Sequence, residues 1–370
     1  MEADRAHIRR ALELARLGAG AVSPNPMVGA VIVFGGTVVG EGWHAELGGL
    51  HAETAALADA RKRGAEVRGA TMYVSLEPCA HEGRQPACAP AIAAAGIDRV
   101  VIACEDPTEK ASGRGPGILR DEGVAVELLE GTEATDARLL NQPFRKHSRS
   151  GKPLVTLKSA ASLDGRTATA SGESKWISSD ASRELVHRWR AESDAIAVGI
   201  GTVIADDPTL TARGVGAKRQ PTRVIFDTNA RLPLDSRLVQ TATEAPILLV
   251  VGERPPGPRV DHLLNAGVEV IATSGRRSEQ VEVGLEQLGR RGITSLLVEG
   301  GAELAGSFVD AGEVDRLELF VAPLVIGGAG ARPLLEGQGA GSLAEATRAI
   351  ALEAEPSGTD VLLRARLREW

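Results

Sequence analysis

His51-Ala52-Glu53, followed by Glu77-Pro78-Cys79 and then by Cys88, decides how the first part of this chain folds and what chemistry it carries. One histidine and two cysteines make three protein ligands, the number a catalytic zinc takes when its fourth position is kept for water. A structural zinc wants a fourth ligand, and His81, two residues after Cys79, is the available candidate. Residues i and i+2 do not share a face of a regular helix. His51 and Glu53 therefore work together best at a helix entry, where His51 holds the metal and Glu53 reaches its water without being a ligand. Cys88 falls in the first turn of the helix predicted over residues 86–95, where the macrodipole favours a thiolate. Hydrolytic deamination fits this division of labour, with the metal lowering the pKa of a water and a free carboxylate moving protons. The plainer alternative makes His51 a helix cap and the cysteines small core residues. Cys104, which ends an apolar run, is read that way.

Around this segment, helix-like and strand-like runs alternate. An amphipathic helix is expected over residues 1–18 and a hairpin over 30–34 and 37–39, turning at Gly35-Gly36. A helix over 51–63 stops at Gly64, and strands follow at 71–76, 99–104 and 124–129. This alternation predicts a three-layer α/β domain over residues 1–146. The polar stretch from Lys146 to Pro153 reads as a linker. A second series then begins, with strands at 154–159, 195–198, 223–227, 247–251, 268–271, 295–298 and 317–321 and an apolar–charged alternation over 350–367. It predicts a second α/β domain over residues 152–370.

Composition narrows the classes. The 370 residues carry a net charge of −7 and 3% aromatic residues, which disfavours a broad nucleic-acid surface. The strongest apolar run, Ile247 to Val251, falls far short of the ~20 residues a membrane helix needs. The N-terminal segment is charged throughout and lacks an apolar core of the signal-peptide type. Three cysteines make no disulfide framework, so a reducing, cytoplasmic setting is expected.

The second half lacks a dinucleotide fingerprint of the G-x-G-x-x-G type, because Gly199-Ile-Gly201 is followed by Ile204 at the third position. It does have an apolar strand, Leu296-Leu-Val, running through Glu299 into Gly300-Gly301 and a helix start. Such a helix N-terminus suits a phosphate or pyrophosphate.

Taken together, Ser23-Pro-Asn-Pro-Met-Val-Gly29, Gly40-Glu-Gly-Trp-His44, Gly48-Gly49, His51-Ala-Glu53 and Glu77-Pro-Cys79-Ala-His81-Glu-Gly83-Arg resemble the bifunctional deaminase–reductases of riboflavin biosynthesis. So do Lys158-Ser-Ala-Ala-Ser-Leu-Asp-Gly-Arg-Thr167, Ser171-Gly-Glu-Ser-Lys-Trp-Ile-Ser178, Arg188-Trp-Arg-Ala and the run from Gly199 to Leu210. The resemblance covers nearly the whole chain, and the C-x8-C spacing of Cys79 and Cys88 is that family's version of the cytidine-deaminase zinc motif. Two residues depart from the family pattern: Leu50 stands where proline is usual, and Gln85 where threonine is usual.

The resemblance implies a cytidine-deaminase-like first domain and a second domain similar to dihydrofolate reductase. It implies one zinc ion on His51, Cys79 and Cys88, Glu53 as proton carrier, and Asn25 and His44 at the pyrimidine. It implies NADPH against Ala160, Trp176, Thr202, Asp206, Thr228 and the turn Gly301, Ala302, Glu303, Leu304, Ala305, Gly306 and Ser307. Substrate would meet Ser174, Arg190, Leu210, Arg213 and Glu299, with Arg190 and Arg213 each able to offer a planar fork to a 5-phosphate. Lys158 and Asp206 are both candidates for the proton donor of the reduction. The implied substrate is a phosphorylated ribosylaminopyrimidine, with no nucleic acid and no membrane, on a homo-oligomer (dimer or tetramer). Two rivals make different predictions. A deaminase of RNA or DNA bases wants a basic, ring-bearing face, and a binding protein with structural zinc is indifferent to Glu53→Ala.

Overall fold

The computed structural model describes residues 2–83, 85–108 and 111–370. The chain forms two compact units, one reaching to Ser150 and including Trp370, the other spanning Gly151–Glu369.

In the first unit, α1 (Glu2–Arg16) precedes β1 (Gly29–Phe34), β2 (Thr37–Trp43), α2 (Ala52–Lys62), β3 (Thr71–Val74) and α3 (Cys88–Ala94). Then come β4 (Arg99–Ile102), α4 (Arg114–Asp121), β5 (Ala125–Leu128), α5 (Thr132–Leu140) and α6 (Gln142–Ser150). The sheet order is β2-β1-β3-β4-β5, antiparallel across β1 and parallel from β3 to β5. Strand alternation feeds two cores. Ala30, Ile32, Met72 and Val100 pack with α2 and α3 on one face. Val31, Tyr73 and Val101 pack with Ile8, Ala11 and Leu12 of α1 on the other. The unit is therefore three layers deep, as expected.

Gly35 and Gly36 take φ of 57° and 80°, the left-handed pair a two-residue hairpin turn needs. The second hairpin strand, expected to end at Val39, runs on to Trp43. Its glycines look like a break, yet they let α2 lie directly on the strand: a Cβ at Gly42 would sit 2.3 Å from the Ala56 nitrogen. The expected linker is also corrected, because residues 146–150 belong to α6. Arg145 there is buried, its guanidinium 2.7 Å from a Glu105 oxygen and 3.2 Å from the Glu105 carbonyl. Charged residues can face a core when they are paired this way, so polarity misleads as a linker signal.

The second unit begins with β6 (Leu154–Ser162), β7 (Arg166–Ala168), α7 (Asp180–Glu192), β8 (Ala195–Gly199), α8 (Ile200–Asp206) and β9 (Thr222–Phe226). It continues through α9 (Arg237–Gln240), β10 (Ile247–Val251), α10 (Gly257–Asn265), β11 (Glu269–Ala272), α11 (Arg277–Arg290) and β12 (Ser295–Val298). It closes with α12 (Ala302–Asp310), β13 (Arg316–Ala322), β14 (Arg332–Pro333), β15 (Ala351–Ser357) and β16 (Asp360–Arg366). The main sheet runs β11-β10-β9-β8-β12-β6-β13-β16-β15. From β11 to β13 every pairing is parallel, and β16 and β15 close the edge as an antiparallel hairpin. Parallel strands covered on both faces read as unbroken apolar runs, which is why they were legible. Ala195 and Ala197 face one core, Ile196 and Val198 the other. The parallel ends open on one side of the sheet, where α/β folds hold ligands.

Candidate active sites

His51 is the N-cap of α2, held in extended backbone (φ −71°, ψ 160°) and making no side-chain cap bond. Its ring turns to the cysteines instead, with Nδ1 3.5 Å from Cys79 Sγ and 3.3 Å from Cys88 Sγ. Cys79 lies on the loop after β3, and Cys88 opens α3 and donates its backbone N–H to Cys79 Sγ at 3.3 Å. The three ligand atoms lie within 4.8 Å of one another. Zinc–sulfur and zinc–nitrogen bonds at a tetrahedral angle put nitrogen and sulfur about 3.5 Å apart, so these residues fit the metal. Among the described residues the set holds three ligands, not four. His81 lines the cavity beside it without joining the group.

Glu53, in the first turn of α2, is only 3% exposed and faces the same cavity of about 380 Å³. Burial pushes its carboxyl up to about 7, and the neighbouring Cys79 adds to the rise. Cys79 moves the other way, down to about 4, chiefly through its hydrogen bond with Cys88 and with help from His51.

Asn25 and His44 meet in this cavity. The His44 Nδ1–H donates to the Leu50 carbonyl at 2.9 Å, and Nε2 then accepts from the Asn25 amide at 3.1 Å. That tautomer is neutral, and burial lowers the ring's pKa against the opposing effect of the Leu50 bond. Leu50 thus serves through its carbonyl, and Gln85 donates its amide to the Gly48 carbonyl at 2.9 Å, tying the cavity rim. The sequence reading missed Asp106, Thr108 and Phe144 as wall residues, which come from loops and a helix without a motif of their own.

A second cavity, of about 550 Å³, lies at the carboxyl ends of the parallel strands. Thr202, Thr228, Gly301, Ala302, Glu303, Leu304 and Ser307 line it. Ala305 and Gly306 do not: Ala305 belongs to the apolar core, and a Cβ on Gly306 would fall 1.2 Å from the Glu336 carbonyl oxygen. Helix periodicity turns these two inward while their neighbours face the cavity. Ala160 packs beside the small core around Phe320, and Trp176 is 70% exposed, with Arg183 stacked 4.6 Å from its ring centre. Neither lines the cavity, and Asp206 is held by Lys175 at 2.8 Å.

Of the residues expected at substrate, Arg190 and Glu299 meet each other. The guanidinium grips both carboxylate oxygens, at 2.6 and 2.9 Å, and reaches the Thr211 carbonyl at 3.3 Å. Lys158 Nζ lies 3.6 Å from Glu299. The Nε–Nη2 edge of Arg190 is therefore held by Glu299. Arg213 is exposed and sits among hydroxyls, 2.5 Å from Thr209 Oγ1 and 3.1 Å from Thr211 Oγ1. Leu210 between those threonines is buried at a φ of 52°. Ser174 is half-buried in the turn before Ile177.

Among the described residues no helix is long and apolar enough to cross a membrane. Residues 1–104 match the family model for the cytidine and deoxycytidylate deaminase zinc-binding region, and residues 153–363 that for the RibD C-terminal domain. Over 359 residues the chain is 41% identical to the riboflavin biosynthesis protein RibD of Bacillus amyloliquefaciens, covering 97% of this chain and 95% of that one. The RibD structure from Acinetobacter baumannii (form 1) matches with a TM-score of 0.88 at 37% identity, covering 100% of this chain and 99% of the other. A diaminohydroxyphosphoribosylaminopyrimidine deaminase/5-amino-6-(5-phosphoribosylamino)uracil reductase from Thermotoga maritima matches with a TM-score of 0.86 at 34% identity, covering 99% of each chain. The chain belongs to the RibD family, bifunctional enzymes of riboflavin biosynthesis that pair a zinc-binding deaminase with a reductase.

Proposed function

We propose that residues 1–146 hydrolyse the 2-amino group of 2,5-diamino-6-ribosylamino-4(3H)-pyrimidinone 5′-phosphate, and that residues 152–370 reduce the ribosyl group to ribityl with NADPH. The observation that carries the reading is the convergence of His51, Cys79 and Cys88 in one cavity with the buried, non-ligating Glu53. Zinc on those three residues supplies Lewis acidity toward a water. Glu53 takes a proton on the water side and returns one to the departing amino nitrogen. Asn25 and the neutral His44, locked by the Leu50 carbonyl, present a fixed hydrogen-bonding edge to the pyrimidine.

In the second unit NADPH supplies the hydride, and the protein positions the sugar and gives a proton to the ring oxygen. Lys158 is favoured over Asp206 as the donor. It lies beside Glu299 in the interior, where burial lowers its pKa and eases proton release, whereas Asp206 is engaged by Lys175. Arg213, with Thr209 and Thr211, is the phosphate anchor. Glu299 and the paired Arg190, with Leu210 and Ser174, shape the rest of the substrate site. Thr202, Thr228, Gly301, Ala302, Glu303, Leu304 and Ser307 hold the dinucleotide, with Ala160, Trp176 and Asp206 toward its nicotinamide end. The partner is a small phosphorylated pyrimidine and not a nucleic acid, the setting is cytoplasmic, and the enzyme works as a homo-oligomer.

The test is product mass. Purified protein is given the diaminopyrimidine ribosyl phosphate with and without NADPH. Exchange of NH for O without cofactor, and two further hydrogens with it, is the expected result. An unchanged mass under both conditions rejects the substrate.

A further inference from the structure

We infer that Arg145 of α6 is a positioning residue for deamination, bracing from behind the wall segment that sets the Asp106 carboxylate in the first cavity; the inference rests on the reading of that cavity as the deaminase site. Asp106 reaches the cavity from the loop after β4 and is 8% exposed. One of its oxygens is committed to the loop itself, where Oδ1 accepts the Thr108 N–H at 2.8 Å and the Thr108 hydroxyl at 2.6 Å. Oδ2 makes no hydrogen bond among the described residues, so it is the oxygen this wall leaves for a ligand.

The direction of that carboxylate depends on the peptide that joins Glu105 to Asp106. The carbonyl of Glu105 and the N–H of Asp106 belong to one planar unit, and each end of it has a partner. Glu77 Oε2 accepts the Asp106 N–H at 3.4 Å. Arg145 takes the other end, with Nη1 donating to the Glu105 carbonyl at 3.2 Å and Nη2 to Glu105 Oε1 at 2.7 Å. The guanidinium is itself anchored, because Nε donates to the carbonyl of Trp370, a residue of this same unit, at 2.6 Å. Gln142 holds Trp370 in turn, accepting its N–H at 2.8 Å and donating to its carbonyl at 3.1 Å.

Filling space does not account for a charge at this position. Arg145 is 2% exposed, and an apolar side chain of similar volume would pack there without the desolvation cost of a buried cation. What the guanidinium alone supplies is a directed grip on one peptide and its side chain at once. Its neighbour on α6, Phe144, lines the cavity, so the same turn of helix forms one wall and braces another. Arg138 reaches the same carboxylate at Oε2, at 3.3 Å, but is 39% exposed and does not touch the Glu105 carbonyl.

The experiment is steady-state ammonia release from the diaminopyrimidine ribosyl phosphate by the full chain and by Arg145→Met, Glu105→Gln, Asp106→Asn, Arg138→Ala and the Arg145→Met/Asp106→Asn pair. Zinc content is read on each. Arg145→Met should raise KM by about tenfold, the worth of one misplaced hydrogen bond to a charged group. Its kcat should stay within about twofold of wild type, with zinc fully retained. Asp106→Asn should raise KM to a similar degree, and the pair should be little worse than either single variant, because both changes remove the same contact. Glu105→Gln, which keeps the acceptor and loses its charge, should fall between, and Arg138→Ala should match wild type. KM effects that multiply in the pair overturn the inference, as does a loss in Arg145→Met that falls on kcat or on zinc. Should Arg145→Met fail to fold, a wild-type KM in Glu105→Gln overturns it alone. Wild-type protein that releases no ammonia overturns the deaminase reading and the role of Arg145 with it.

Discussion

Arg190 on α7 holds both oxygens of Glu299, Nε to Oε1 at 2.6 Å and Nη2 to Oε2 at 2.9 Å, across 109 residues of sequence. Burial alone would raise the Glu299 carboxyl, but Arg190 and Lys158 outweigh it and hold it down at about 2. A folded value below the ordinary one gives stability that is fully present above about pH 4.5 and lost as pH falls toward 2. Urea unfolding of the second unit should therefore weaken steeply in that window. Glu299→Gln should flatten the dependence and, by leaving buried cations without their counter-charge, cost about 3–5 kcal/mol at neutral pH. An identical pH profile in the variant refutes the assignment.

Glu53→Gln keeps the shape of the side chain and removes its proton chemistry. Ammonia release should fall by about 10²–10⁴-fold, while zinc content and dinucleotide binding stay at wild-type levels. Loss of the metal along with activity would instead make Glu53 a structural residue.

Stripping the metal with a tight chelator should stop deamination, and added zinc should restore it. Cys88→Ala should abolish zinc retention. Cys104→Ala should leave it intact, because Cys104 is buried in the core on the opposite face of the sheet, with its thiol directed to the Ser75 carbonyl at 3.4 Å. Metal analysis after gel filtration reads all three.

Two glycines of the second unit, Gly306 beside the second cavity and Gly201 in its wall, should behave oppositely when changed to alanine. At Gly306 the added carbon would overlap the Glu336 carbonyl at 1.2 Å, so the melting temperature should drop by the equivalent of about 3 kcal/mol or more. At Gly201, inside α8, alanine meets no protein atom and should stabilise by about 0.5–1 kcal/mol while weakening NADP⁺ binding. Unchanged NADP⁺ affinity in Gly201→Ala would mean that the dinucleotide does not pass this wall.

Much of the fold was legible because its signals are local. The apolar runs at Ile247–Val251 and Ser295–Val298 are parallel strands covered on both faces, and the Gly35-Gly36 turn is a backbone requirement written in two residues. The signals failed where tertiary contact reversed a local preference. Gly40 and Gly42 sit inside a strand because a helix lies on them, and Lys146–Ser150 is helix because Arg145 just before it finds a partner in Glu105.

The sites divide the same way. By itself the sequence determined the ligand types and the non-ligating glutamate, because His51, Glu53, Cys79 and Cys88 announce their chemistry by kind and order. It could not determine which charges are spent and which are free. Arg190 and Arg213 look equivalent as letters, yet one is locked to Glu299 and the other stands open among threonine hydroxyls. Only the tertiary structure decided that, because a pairing across 109 residues depends on where the fold carries Arg190 of α7 relative to Glu299.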